Sequence, residues 1–272
     1  TNAEELRIAL EYPWDKWAVF LHPAQAALTT RNYNGPARVS GSAGTGKTIV
    51  ALHRAVALAK KNPAAKVLLT TFSKALANAL RRKLVLLAGE DEALLKRITV
   101  DALNAVAYDL YAEAFGQPNI ASPSQVRNLL QKAAASVEGQ TFSAQFLFSE
   151  WEEVVDAWQI RSWEAYRDVP RLGRKARVGG KQREVLWAIF DATRRTLAGR
   201  KLVTWPDVFG RLAERCSSPA KRPFDFAVVD EAQDLDVAQA RFLAALAGGR
   251  ENALFFAGDL GQRIFQQPFS WK

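Results

Sequence analysis

The sequence predicts an α/β fold, a parallel sheet with helices on both faces, interrupted by an all-helical insertion. Three observations carry this. Short apolar runs rich in β-branched residues alternate with stretches of helical periodicity. The alternation stops between about residues 116 and 200, where only helical patterns are found. It then resumes to the end of the chain. Parallel strands need crossover connections, and crossovers lay helices over both faces of the sheet.

Residues 37–40, 66–71, 98–100, 226–230 and 253–257 read as buried strands. Residues 47–61 repeat apolar side chains at helical spacing and stop before Asn62-Pro63. Residues 235–246 do the same and stop at Gly248-Gly249. Inside the insertion, a helix over 143–158 places Trp151, Val154, Val155 and Trp158 on one core-facing stripe. The expected division is 1–115 for the first part of the α/β domain, 116–200 for the insertion and 201–272 for the second part.

The chain has 272 residues, 49% hydrophobic and 24% charged, which suits one large soluble domain or two modest ones. No apolar run reaches 18 residues, so no membrane span is expected. The opening stretch TNAEELRIALEYPW is acidic and mixed, unlike a secretory signal. One cysteine (Cys216) and two histidines argue against a disulfide framework and a zinc site. Together these point to the cytoplasm. There is no methionine, so residue 1 is expected to be a processed or chosen start. The net charge of +9 is concentrated: residues 161–201 hold 12 Lys/Arg against 4 Asp/Glu. Such a patch favours nucleic acid or another polyanion, with a solvated surface as the plainer alternative.

The strongest local signal is Gly41-Ser42-Ala43-Gly44-Thr45-Gly46-Lys47-Thr48, which satisfies G-x-x-x-x-G-K-[ST] between a strand and a helix. Glycines let the backbone curl so that its N–H groups face a phosphate, and the helix start adds its positive dipole end. Lys47 is expected to reach the β- and γ-phosphates of a nucleotide and the Thr48 hydroxyl to ligate Mg²⁺. Asp230 closes the apolar run Phe226-Ala227-Val228-Val229, and Glu231 follows. A carboxylate at the tip of a buried parallel strand lies where such sheets bind ligands. Asp230 is expected to hold Mg²⁺ through water and Glu231 to orient and deprotonate an attacking water.

At this point the residues resemble a family. Asp230-Glu231-Ala232-Gln233-Asp234, followed by Gln239, resembles motif II of superfamily I helicases of the UvrD/Rep type. Gly258-Asp259-Leu260-Gly261-Gln262 is similar to motif III and Thr71-Phe72-Ser73-Lys74-Ala75-Leu76-Ala77 to motif Ia. Leu21-His22-Pro23-Ala24-Gln25 looks like the Q motif. The motifs stand in family order over essentially the whole chain, and the insertion falls where the family places subdomain 1B within 1A. Residues 169–174 and 182–187 also resemble that subdomain.

The resemblance implies a P-loop NTPase, RecA-like fold and an ATP- and Mg²⁺-dependent motor acting on single-stranded or partially duplex DNA in the 3′→5′ direction. It implies that Gln25 reads adenine, that Gln262 contacts the γ-phosphate, and that Phe72 and Phe265 stack on bases. The basic insertion, through Arg174, Lys175 and Arg177, would follow the phosphate backbone. Two departures stand out. Thr99-Val100-Asp101 puts an acid where the family has T-x-H, and residues 266–271, QQPFSW, replace an Arg-x-Trp-Arg-Gly-like run. Motifs IV, V and VI are not found, so the chain reads as the N-terminal motor half, without the second RecA-like domain and its arginine fingers. Two other readings stay open: a helicase-like ATPase switch or defence component that does not unwind, and a nucleic-acid-binding module with a vestigial P-loop.

Overall fold

Residues 18–169 and 178–259 are described by a computed structural model. They form two compact units: residues 18–106, 213–235 and 242–259 in one, and 107–169, 178–212 and 236–241 in the other. In chain order the elements are α1 (Pro23–Thr30), β1 (Ala37–Ser40), α2 (Lys47–Lys61), β2 (Val67–Thr71), α3 (Lys74–Ala88), α4 (Glu92–Leu95), β3 (Ile98–Ala102) and α5 (Leu103–Phe115). The helical stretch follows with α6 (Pro123–Ala135), α7 (Ala144–Glu150), α8 (Trp163–Asp168), α9 (Gly180–Gly199) and α10 (Trp205–Cys216). The chain then returns through β4 (Phe226–Asp230), α11 (Val237–Ala247) and β5 (Leu254–Gly258). Among the described residues no helix is long and apolar enough to cross a membrane.

The five strands pair in the order β1-β5-β4-β2-β3, every pair parallel. Every residue of β2 and β5 is buried, as expected of strands covered on both faces. The outermost strand β1 alternates half-buried and exposed residues. Val50, Ala51, Ala55 and Leu58 of α2 pack with Val67, Leu69, Val228, Phe255 and Ala257 in one core. Lys60 and Lys61 in the last turn of α2 complement its dipole, and Asn62 before Pro63 ends it. One buried polar group belongs to this core. Arg54 donates to the carbonyls of Thr29 and Arg31 and to Asn252 Oδ1, at 3.0, 2.8 and 2.8 Å. Its guanidinium lies 5.1 Å from the ring centre of Tyr33 and 5.6 Å from that of Phe255. Helix-terminal carbonyls and ring faces thus supply the negative potential that a buried cation needs.

In the helical unit, α6 starts with a capping box formed by Ser122 and Gln125. Its core gathers Trp151, Tyr166, Leu186, Ile189 and Phe190, with the Tyr166 ring edge-on to Phe190 at 5.6 Å. The helix expected over 143–158 is interrupted. α7 widens into a π-helix over Trp151–Asp156, closed by Ile160 N–H donating to the Val155 carbonyl, five residues back, at 2.9 Å. Gln159 ends it in the left-handed region at φ 54. The wider turn rotates the end of the stripe away from the core. Trp151, Val154 and Val155 are buried as the periodicity predicts, but Trp158 is 39% exposed, with the Arg241 guanidinium 5.4 Å from its ring centre.

Several basic residues of the 161–201 stretch are paired locally. Arg161 bonds Asp207 at 3.1 Å, Arg167 bonds Asp168 at 2.7 Å, and Arg195 bonds Asp191 at 2.8 Å. Arg194 stacks on Trp151. Arg171, Arg174, Lys175 and Arg177 lie outside the described residues.

Candidate functional site

The pairing register brings three strand ends to one edge, with Ser40 opposite Gly258 and Ala257 opposite Asp230. Three segments leave that edge: residues 41–46 after β1, Glu231 onward after β4, and Asp259 after β5. This is the carboxyl edge of a parallel sheet, where crossover geometry leaves room for a ligand.

The loop 41–46 is shaped by two glycines in the left-handed region, Gly44 at φ 78 and Gly46 at φ 82. Gly46 also caps α2 without a side-chain bond, so the amide face of the helix start is offered to an external anion. A methyl group on Gly44 would meet no atom within 4 Å, which leaves that flank of the loop open. One on Gly41 would stand 2.7 Å from Thr45 Oγ1, so the loop closes on itself there. Thr45 Oγ1 donates to the Ser42 carbonyl at 2.8 Å, and Lys47 Nζ donates to the carbonyls of Gly41 and Ser42 at 2.8 Å each. Gln25 on α1 is tied to the same loop, its Nε2 donating to the Thr45 carbonyl at 2.7 Å. His22 fixes the start of that helix by accepting the Ala24 N–H at Nδ1, 3.2 Å away.

Across the edge, Asp230 is buried at the tip of β4 with the Thr48 hydroxyl near its carboxyl. Burial pushes its carboxyl up to about 6. The Thr48 hydroxyl opposes that shift and the neighbouring Glu231 carboxylate adds to it. The Glu231 backbone N–H and Lys83 on α3 also favour the charged form. A buried carboxylate held at a cost is one that a cation would relieve. Glu231 itself sits at φ 57, ψ 43, a left-handed conformation that costs a non-glycine residue about 1–2 kcal/mol. The chain then turns through a single 3₁₀ turn, Ala232–Asp234.

The edge therefore brings together Gln25, Gly41, Ser42, Ala43, Gly44, Thr45, Gly46, Lys47, Thr48, Asp230 and Glu231. The donor set fits a polyphosphate with a hard divalent cation: backbone N–H groups, one ammonium, one hydroxyl and one carboxylate. Phe72, which follows β2, is 49% exposed. Asp101, where the family pattern has a histidine, is engaged by Arg81 of α3 at 3.6 Å and accepts the Ala102 N–H at 2.7 Å. Gln262 and Phe265 lie outside the described residues.

One further residue joins the edge without having been given a role by sequence reasoning. Gln233 stood inside the motif but without a task. Its Nε2 donates to Glu231 Oε2 at 2.5 Å and its Oε1 accepts the Asp259 N–H at 3.0 Å.

No curated protein matches the chain significantly. A family model described as the UvrD/REP helicase N-terminal domain matches residues 21–267, from the α1 entry past the β5 exit. The match spans the strand that ends at Asp230, the Glu231 that follows it and the glycine loop that faces them: the chain belongs to the UvrD/REP helicase N-terminal domain family.

Proposed function

We propose that the chain is the ATP-binding half of an ATP-dependent DNA helicase or translocase. One observation carries this reading: the buried Asp230 carboxyl, with the Thr48 hydroxyl near it, at the mouth of a glycine loop whose lysine faces the same edge. Bound ATP–Mg²⁺ would supply the phosphoanhydride to be cleaved and the cation that neutralises its charge. The N–H groups of residues 41–46 then hold phosphate oxygens, and the Lys47 ammonium offsets their charge. Thr48 and Asp230 would hold the cation. Glu231 accepts the proton of the attacking water. Gln25, seated on the loop through Thr45, reads the adenine edge.

Single-stranded DNA is the partner, with Phe72 and Phe265 as stacking residues, each worth about 1–3 kcal/mol per base. Arg174, Lys175 and Arg177 contact its phosphates, movement runs 3′→5′, Gln262 couples the γ-phosphate to it, and a second RecA-like domain supplies the trans arginines.

Equilibrium binding of a non-hydrolysable ATP analogue with Mg²⁺ tests the core of this. Binding to the chain and its loss in Lys47→Ala, with the fold intact by circular dichroism, is the expected result; equal affinity in the variant would sink it. Turnover by these residues alone should be slow, because arginines supplied in trans by the proposed second domain are worth about 10³–10⁵ in rate. Reversing Arg174, Lys175 and Arg177 to Glu should flatten the slope of log K against log salt by about two to three units. An unchanged slope with a lower melting temperature would make that patch structural.

A further inference from the structure

We propose that Gln233 is a positioning residue that ties the Glu231 carboxylate to the backbone leaving β5; the proposal rests on the nucleotide reading above. A primary amide carries a donor and an acceptor on one rigid plane, and Gln233 uses both ends: Nε2 toward Glu231 Oε2 at 2.5 Å, Oε1 toward the Asp259 N–H at 3.0 Å. Both partners require this orientation of the amide, since a carboxylate accepts and an N–H donates. The bond to the carboxylate is charge-assisted, the stronger kind.

The backbone reinforces the link. A methyl group on Gly258 would stand 2.6 Å from Gln233 Oε1, 3.1 Å from the Ala232 nitrogen and 3.2 Å from the Gln233 nitrogen. The end of β5 and the turn after β4 are therefore packed against each other with no room for a side chain between them. Glu231, held in a left-handed conformation, is aimed by its own backbone on one side and by Gln233 on the other. The result is a short rigid path from the carboxylate that accepts the water proton, through one amide, to the residue that starts the segment carrying Gln262. A shift of the carboxylate moves the amide plane, and with it the acceptor of the Asp259 N–H.

Hydrogen exchange at the Asp259 amide and the kinetics of ATP turnover test this. Without nucleotide, Gln233→Ala should speed exchange at Asp259 by roughly 5–10-fold, the worth of one neutral hydrogen bond. Glu231→Ala should also speed it in the parent chain but add nothing in the Gln233→Ala background. Equal effects of Glu231→Ala in both backgrounds would overturn the link. Gln233→Glu keeps an acceptor for Asp259 but loses the donor to Glu231. It should hold Asp259 protection near the parent level while lowering kcat for ATP by about 10–100-fold, the usual cost of losing an outer-shell partner, with KM little changed. An unaltered kcat, or a loss confined to KM, would overturn the positioning role. The exchange cycle needs no nucleotide, so a chain that fails to bind ATP refutes the nucleotide reading while the cycle still decides the link.

Discussion

Two buried aspartates in this molecule share one local chemistry and differ in everything around it. Asp230 has the Thr48 hydroxyl near its carboxyl and a second acid, Glu231, beside it. Asp156 accepts from the Thr204 hydroxyl at 2.8 Å with Asp207 close by. Burial raises both, Asp230 to about 6 and Asp156 to about 7. Asp156, however, is enclosed by helices: Gln159 Nε2 donates to its carbonyl at 2.9 Å, and Arg194 and Arg161 lie near its carboxyl. Thr204 and Asp207 are themselves occupied in starting α10, Asp207 accepting the Thr204 N–H at 3.2 Å. Asp230 instead stands at a sheet edge beside a loop whose flank at Gly44 is open. A raised carboxyl and a threonine do not make a site. Open backbone donors beside them do.

The comparison can be broken first at Asp156. Its folded carboxyl keeps a proton to about pH 7, whereas the unfolded group releases it near its ordinary 3.8. The native state thus binds the extra proton between those values. The stabilisation is complete below about pH 4 and is lost as pH rises to about 7. Asp156→Asn should remove that slope and stabilise the protein at pH 8 by at most about 4 kcal/mol, three pKa units at 1.36 kcal/mol each. Urea melts of both proteins from pH 4 to 8 check it, and parallel curves would show that Asp156 ionises freely.

The two threonines should separate next. At pH 8, where the Asp156 carboxyl is ionised, Thr204→Val removes a buried bond to a charged partner and should cost about 1.5–3 kcal/mol in thermal unfolding, with ATP-analogue affinity unchanged. Thr48→Val should do the opposite, weakening Mg²⁺-dependent binding by roughly 10–100-fold with a smaller change in melting temperature. If both variants behave alike, the distinction between the two pairs fails.

The smallest expected difference is between two glycines. Gly258→Ala forces a methyl group onto backbone nitrogens and should cost about 1–3 kcal/mol. At Gly210, inside α10, the new methyl would meet only the end of the Gln159 side chain, 3.1 Å away. The helix-propensity gain of about 1 kcal/mol should then nearly offset the crowding. Chemical denaturation of both variants, side by side, measures the contrast.

Much of the α/β unit was legible because its information is local. The run Phe226–Asp230 is apolar up to its carboxylate, and the strand ends where the run ends. Lys47–Lys61 has its start set by Gly46 and its stop by Asn62 before Pro63. The loop residues are contiguous, so their spacing already implies their curl. The helical unit was less legible. The periodicity of residues 143–158 holds through Val155 and then fails, because a π-turn depends on closing one hydrogen bond five residues back, which no apolar pattern encodes.

What the sequence determined by itself was the set of elements, their alternation, the glycine loop and the two carboxylates, since each follows from neighbours within a few residues. Only the tertiary structure decided what crosses between distant segments. It set β5 between β1 and β4, so that Ser40 and Asp230 open onto one edge. It joined Gln25 to Thr45 and Gln233 to Asp259, pairs 20 and 26 residues apart, and brought the Thr48 hydroxyl near Asp230, 182 residues away. It also turned Asp101 toward Arg81 and left Trp158 half in solvent. Side-chain bonds across a sheet edge depend on strand order and register, and these are settled by the packing of whole faces rather than by any stretch of the chain read alone.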